Sequence, residues 1–147
     1  MIITRTRLAD LARRYAAQPL RPRFDADRRW YTRLGAADDH EAWLLTWLPG
    51  QHTDLHDHGG SAGAFLVVSG VLDESLVTAE GQLADTAMVA GTVREFGAHH
   101  IHRIVNRGTV PAVSVHVYAP ALSAMTRYRL ADGRLVVESM NLAGVDW

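Results

Sequence analysis

From Trp30 onward the chain is cut into short apolar or alternating runs by glycine, proline and small polar turns, and that punctuation constrains it to a mainly β fold. Residues 30–34 and 42–47 read as strands on either side of a polar loop, 35–41. Runs 63–68 and 71–78 are divided by Ser69-Gly70, a turn follows at 79–82, and Gly91 precedes a strand at 93–96. Strands at 102–105 and 113–118 come next. Asp132-Gly133 then joins 126–130 to 135–138, a strong two-residue hairpin signal. Strands this short with turns this close predict a small sandwich or barrel. Upstream, Leu8, Leu11, Ala12 and Tyr15 recur at helical spacing and predict a helix over about 5–17, with Thr4 or Thr6 as cap and Pro19 and Pro22 beyond its end. No linker or repeat interrupts the text, so a single domain over 1–147 is expected, with the barrel at about 30–138.

The chain has 147 residues, 48% of them hydrophobic, enough for one well-cored domain and too few for two ordinary ones. A net charge of −1 offers no strong attraction to nucleic acid or to an anionic membrane, and neither is expected as a partner. No apolar run approaches the roughly 20 residues of a membrane span, and no signal peptide is visible. A cytoplasmic monomer is expected. The lack of cysteine removes disulfides, thiolate metal sites and a cysteine nucleophile together. Histidine is abundant instead: eight, against fifteen lysines and arginines, and it is the commonest metal ligand.

The histidines are clustered. His56 and His58 are two residues apart, so in an extended strand they share a face with Cα atoms about 6.6 Å apart. Imidazoles at that spacing can converge on one ion, though two polar groups on a wet strand face would read the same way. A second cluster, His99-His100-Ile101-His102, offers a third ligand, and spacing alone leaves all three candidates open. In residues 113–118, three valines alternate with Ser114, His116 and Tyr118. On an ordinary strand that polar face is solvated; inside a barrel it becomes a row of hydrogen-bonding groups ending in a phenol. Ala119-Pro120 follows as a candidate cis peptide. Arg33 lies in a strand-like stretch with Tyr31, and an arginine pointing into a barrel needs an anion, a carboxylate being the best geometric match.

Together these segments resemble the cysteine dioxygenase family, a branch of the cupins. Gly50, His56, His58, Gly63 and Gly70 follow the first cupin motif, with Gly63 where most cupins carry glutamate. Thiol dioxygenases share that departure, animal members having cysteine there and many bacterial ones glycine. His102 and Asn106 match the end of the second motif, which selects His102 over His99 and His100, although His99 and Gly97 replace the usual glycine and proline. Ser114, His116 and Tyr118 match the family's Ser-X-His-X-Tyr row, and Tyr31-Thr32-Arg33 is similar to its Tyr-Thr-Arg segment.

The resemblance implies a small cupin (jelly-roll) barrel after a short helical segment, with Fe(II) held by His56, His58 and His102. It implies a small thiol carboxylate and O2 as partners, both oxygen atoms ending on sulfur as a sulfinate. Arg33 would hold the substrate carboxylate, assisted by Tyr31, while Tyr118 would steer carboxylate and oxygen, oriented by His116 and Ser114. The cysteine–tyrosine cross-link of animal members cannot form in a chain without cysteine. L-cysteine is the expected substrate, because mercaptopropionate-preferring relatives generally carry glutamine at the Arg33 position. The alternatives are dioxygenation of 3-mercaptopropionate or another small thiol carboxylate, a zinc or manganese isomerase or hydrolase, and a non-catalytic binder of a small acid.

Overall fold

The strand with the cleanest alternation lies at the centre of the molecule and is buried on both faces. A computed structural model describes residues 7–142. In chain order the elements are α1 (Leu8–Ala16), β1 (Trp30–Ala37), β2 (His40–Trp47), β3 (Leu55–His56), β4 (Ala62–Ser69), β5 (Val71–Val77), β6 (Leu83–Val89), β7 (Val93–Phe96), β8 (Arg103–Val105), β9 (Ala112–Ala119), β10 (Ala124–Ala131) and β11 (Arg134–Leu142). One wall is a five-stranded sheet ordered β1-β2-β9-β4-β7. The other is built from two three-stranded sheets, β11-β10-β3 and β6-β5-β8. Backbone bridges His56↔His102 and His52↔Val105 stitch those two together. The result is the expected small jelly-roll barrel.

Strand β9 shows why the sequence pattern was ambiguous. Val113, Val115 and Val117 point outward, yet they are covered by the apolar side of α1 and neighbouring residues, including Leu8, Leu11, Tyr15, Leu20 and Trp30. Ser114, His116 and Tyr118 point into the barrel, where all three are buried. The polar row is therefore interior. Burying it costs free energy unless its groups are paired, so it demands partners from the opposite wall and the adjacent strands.

The helix is shorter than 5–17, and the expected caps Thr4 and Thr6 lie outside the described residues. Arg7 stands at the cap position without a side-chain bond. Glu95 of β7 supplies the acceptor instead, its Oε1 taking the Ala9 N–H at 2.7 Å and placing a negative charge at the helix start.

Three other boundaries differ from expectation. The stretch 35–41 is not a loop: Ala37↔His40 and Ala36↔Glu41 continue the β1–β2 hairpin, leaving Asp38-Asp39 as the turn. Strand β6 pairs with β5 at the edge of its sheet with only Met88 buried, so no apolar alternation marks it in the sequence. The last hairpin turns at Asp132-Gly133, both with positive φ (50° and 74°), as that dipeptide predicts, but β11 runs on to Leu142. Ala119-Pro120 is cis. No helix of the described residues is long and apolar enough to cross a membrane.

Candidate metal centre

The seam between the two smaller sheets brings the two histidine clusters together. His56 N–H donates to the His102 carbonyl at 3.0 Å, and His102 N–H donates back to His56 at 3.1 Å. Their side chains thus leave adjacent strands on the same side. His58 joins them after Asp57, which anchors the segment to β10: its Oδ1 accepts Thr126 N–H at 2.9 Å and its Oδ2 accepts the Tyr128 hydroxyl at 2.8 Å. The three ring centroids are each 4.9 Å from the other two, and one nitrogen from each ring lies within 4.8 Å of the others.

Each ring is held by its outer nitrogen. His56 Nδ1 donates to Asp54 O at 2.7 Å, His58 Nδ1 to His100 O at 3.3 Å, and His102 Nδ1 to Glu74 Oε2 at 2.8 Å. A neutral imidazole that donates from Nδ1 carries its lone pair on Nε2. Burial lowers the pKa of all three; mutual repulsion lowers His56 and His58 further, while the Glu74 carboxylate partly restores His102. The rings are neutral at pH 7. His58 Nε2 is buried with no hydrogen-bond partner, an orphaned acceptor aimed at the other two rings. Three neutral nitrogen donors around such an atom fit a divalent transition metal, and supporting hydrogen bonds on the outer nitrogens are usual for metal-bound histidine.

Glu74 explains the fate of the second cluster. Its buried carboxylate also accepts from His100 Nε2 at 3.1 Å, and Arg94 Nε lies 2.8 Å from its Oε1. Burial alone would raise its pKa, but the two histidines and the Arg94 charge outweigh burial and hold it at about 2. Glu74, His100 and His102 also lie within 4.8 Å of one another, yet the carboxylate there is already shared between two rings and an arginine. His99 is exposed. Of the three candidates only His102 joins His56 and His58.

Gly63, where most cupins carry glutamate, is crowded. A Cβ there would lie 2.5 Å from Phe96 Cζ and 2.7 Å from Val117 O. The aromatic ring occupies the space a fourth protein ligand would need.

The centre opens into a cavity of about 490 Å³ whose lining includes His56, His102, Tyr31, Trp47, His116, Tyr118, Arg29 and Arg127. Trp47 Nε1 donates to Ser114 Oγ at 2.8 Å, and Ser114 Oγ lies 2.8 Å from His116 Nε2. With the indole donating to Ser114, the serine proton is left for His116. Burial lowers the His116 pKa to about 3, so this ring is neutral too. Tyr118 stacks on His58 with centroids 5.6 Å apart. Burial pushes its phenol pKa well above the ordinary value, Arg29 opposing the shift, so it stays protonated and can donate.

Arg33 is the residue the structure does not bring to the cavity. By register it shares the inward row of Tyr31, Trp43 and His116, but its strand is at the sheet edge. Its guanidinium stacks on Trp43 with Cζ 5.4 Å from the ring, binds Glu41 at 3.0 Å, and is 57% exposed. The anion it needed is a buried glutamate of its own fold. Arg29, Arg127, Trp47 and Glu74 belong to no motif that the sequence singles out. His52 also lines the cavity.

A model of the family described as cysteine dioxygenase type I matches residues 9–131. Among solved structures, a conserved protein with a double-stranded β-helix domain from Klebsiella pneumoniae is similar at 18% identity, covering 93% of this chain and 99% of that one, with a TM-score of 0.59. A protein from Thermus thermophilus matches at 21% identity over 68% of this chain and 90% of its own, also with a TM-score of 0.59. An RmlC-like cupin from Desulfovibrio desulfuricans matches at 17% identity over 72% and 93%, with a TM-score of 0.58. At these identities the likeness to solved structures is one of fold.

Proposed function

The chain belongs to the cysteine dioxygenase type I family of metal-dependent cupins, and from that premise we propose that it is an iron(II) thiol dioxygenase that oxidises L-cysteine to cysteine sulfinate. The observation that carries the reading is the orphaned His58 Nε2 within a triangle of neutral imidazoles, at the wall of a cavity that also receives Tyr118. Three neutral ligands leave the metal's charge uncompensated, which favours an incoming thiolate over a neutral alcohol. Bound iron(II) would supply the electronic pathway by which dioxygen reacts with a thiolate. Both atoms of O2 end on sulfur, so the overall conversion of thiolate and O2 to sulfinate balances without an external reductant.

The chain's own residues position and shield. Tyr118, kept as a phenol by burial, offers a proton donor beside His58. Ser114 and Trp47 fix the His116 ring and thereby the wall next to Tyr118. Tyr31 closes the side of the cavity and packs edge-on against Trp43 at 5.9 Å. Small aliphatic thiols fit such a space with room for a carboxylate.

A second reading, 3-mercaptopropionate as substrate, is favoured by the placement of Arg33. Its absence from the cavity removes the residue-level reason for preferring cysteine. Oxygen uptake by the iron-loaded protein, with each thiol in turn and products identified by mass, tests both. Uptake with cysteine and a product heavier by two oxygen atoms supports the first reading, and uptake with mercaptopropionate alone selects the second. No uptake with either, despite bound iron, removes both and leaves a non-oxygenase cupin.

A further inference from the structure

His56 and His58 are two residues apart, but the fold holds them by different means. His56 lies in β3, paired on one side with Arg127 of β10 and bridged on the other to His102. The ladder with β10 ends there, because β3 has only two residues, and His58 lies outside any strand. Beyond it the chain bends at Gly59 and Gly60, both with positive φ (58° and 93°), and a Cβ on Gly59 would run into the Ala124 carbonyl. Packing orients the His58 ring, which lies between Phe96 and Tyr118 with centroids 4.5 and 5.6 Å away. The backbone that carries the ring needs another anchor.

Asp57 takes the ladder's place. Its N–H donates to Thr126 O at 3.0 Å, as a strand residue would. The return bond from Thr126 N–H goes to Asp57 Oδ1 at 2.9 Å, where a regular antiparallel pair uses the backbone carbonyl. Oδ1 also accepts Gly59 N–H at 3.1 Å, closing the turn that follows, and Oδ2 accepts the Tyr128 hydroxyl at 2.8 Å. The carboxylate therefore lets the backbone leave the strand after Asp57 while the turn stays tied to β10. Tyr128 is the register partner of Leu55, two residues before Asp57, and this brings its hydroxyl to the carboxylate.

We infer that Asp57 and Tyr128 are positioning residues of the metal centre: the carboxylate, oriented by the phenol, fixes the approach of His58 to His56 and His102. This rests on the three-histidine metal centre of the reading above and is independent of the thiol chemistry. Its physical basis is preorganisation. A ligand already in place when the ion arrives loses little conformational freedom on binding, whereas one on a loose turn must first be ordered, and affinity falls accordingly.

The experiment measures metal binding and leaves turnover aside. The metal-free full chain is titrated with Co(II), whose d–d absorption reports ligand geometry, and competition with a chelator of known affinity gives the dissociation constant. Asp57→Ala should bind Co(II) about 10–100-fold more weakly than wild type, with an altered spectrum. Asp57→Asn keeps an oxygen for Thr126 and Gly59 and offers its NH2 to the Tyr128 oxygen, so a constant within about threefold of wild type is expected. Tyr128→Phe leaves the backbone bonds of Asp57 intact and should weaken binding about three- to tenfold. Val136→Ala controls for general loosening of the hairpin. Val136 lies on β11 opposite Arg129, and its truncation should lower the melting temperature of the metal-free chain without changing the Co(II) constant.

A wild-type constant and spectrum in Asp57→Ala or in Tyr128→Phe overturns the assignment for that residue. Asp57→Asn as weak as Asp57→Ala overturns the positioning role, since the acceptor geometry is then not what matters. Equal weakening in Val136→Ala overturns it too, by making the effect one of hairpin stability. If Asp57→Ala does not fold, Tyr128→Phe and Asp57→Asn carry the test with the same expected constants. Failure of the underlying reading is distinguishable: Co(II) binding that His102→Ala leaves unchanged places the ion elsewhere and removes both. Binding that His102→Ala abolishes and Asp57→Ala leaves unchanged keeps the centre and removes only the positioning role.

Discussion

Glu74 Oε2 lies between His102 Nδ1 at 2.8 Å and His100 Nε2 at 3.1 Å, and this difference in the nitrogen engaged separates a candidate ligand from a bystander. A ring committed through Nδ1 presents Nε2 to the centre, as His56 and His58 also do. His100 has spent the nitrogen that would reach the metal, and its ring stacks on Phe96 at 5.0 Å instead. Its backbone still matters, since its carbonyl accepts from His58.

Glu74→Gln should therefore weaken metal binding without abolishing it. The amide oxygen can still accept from both rings, but it carries no charge to make the imidazole a better donor, and its NH2 would face the Arg94 guanidinium. Loss of such a supporting partner costs about 10–100-fold in metal affinity. Competition with a chelator of known affinity checks it, and an unchanged constant would mean that Glu74 serves packing alone.

His102→Ala and His100→Ala form a matched pair. The first should lose stoichiometric iron because two imidazoles remain; the second should keep it because the His100 carbonyl is unaltered. Iron content per chain after desalting distinguishes them, and the reverse result would exchange the two roles.

Gly63→Ala should destabilise the protein by roughly 1–3 kcal/mol. Its Cβ would meet Phe96 Cζ at 2.5 Å, which the ring can relieve by moving, and the Val117 carbonyl at 2.7 Å, which belongs to a central strand and cannot readily yield. Urea unfolding of both proteins measures the loss. Wild-type stability would show that the Phe96 pocket is looser than these contacts imply.

Tyr118→Phe should keep iron and fold while losing the donor, so that oxygen uptake falls or exceeds sulfinate formed. Simultaneous measurement of the two quantities is the check. Full, coupled activity in the phenylalanine variant would remove the hydroxyl from the reaction.

Acid should unfold the metal-free protein early. Burial holds the His116 pKa at about 3, against an unfolded value near 6.5, and lowers those of His56, His58 and His102 as well. Below pH 6.5 the unfolded chain takes up protons that the folded one refuses, so stability falls as pH drops. For His116 the loss is about 1.4 kcal/mol per pH unit until the folded pKa is reached. Thermal unfolding at pH 7, 6 and 5 should show a steadily decreasing midpoint; a flat profile would mean that these rings are hydrated in solution.

Several parts of this architecture were legible because they are periodic or local. The Asp132-Gly133 turn, the alternation of β9 and the His-X-His step need only neighbouring residues to state their geometry. Strand β6 was not legible because an edge strand with one buried side chain leaves no pattern. The family motifs pointed to His102, but its spacing did not separate it from His100. That separation depends on Glu74, which arrives from another strand.

What the sequence by itself determined is most of the short strands, the single shared face of Ser114, His116 and Tyr118, and the supply of imidazoles without any thiol. Backbone sterics and side-chain alternation act over a few residues, so they are written where they act. Tertiary structure alone decided that the valine face of β9 is covered by α1, that Arg33 is claimed by Glu41, and that Arg29 faces the cavity without a carboxylate. Charge pairing and burial depend on distances across the barrel, and residues that meet there carry no mark of it in the chain.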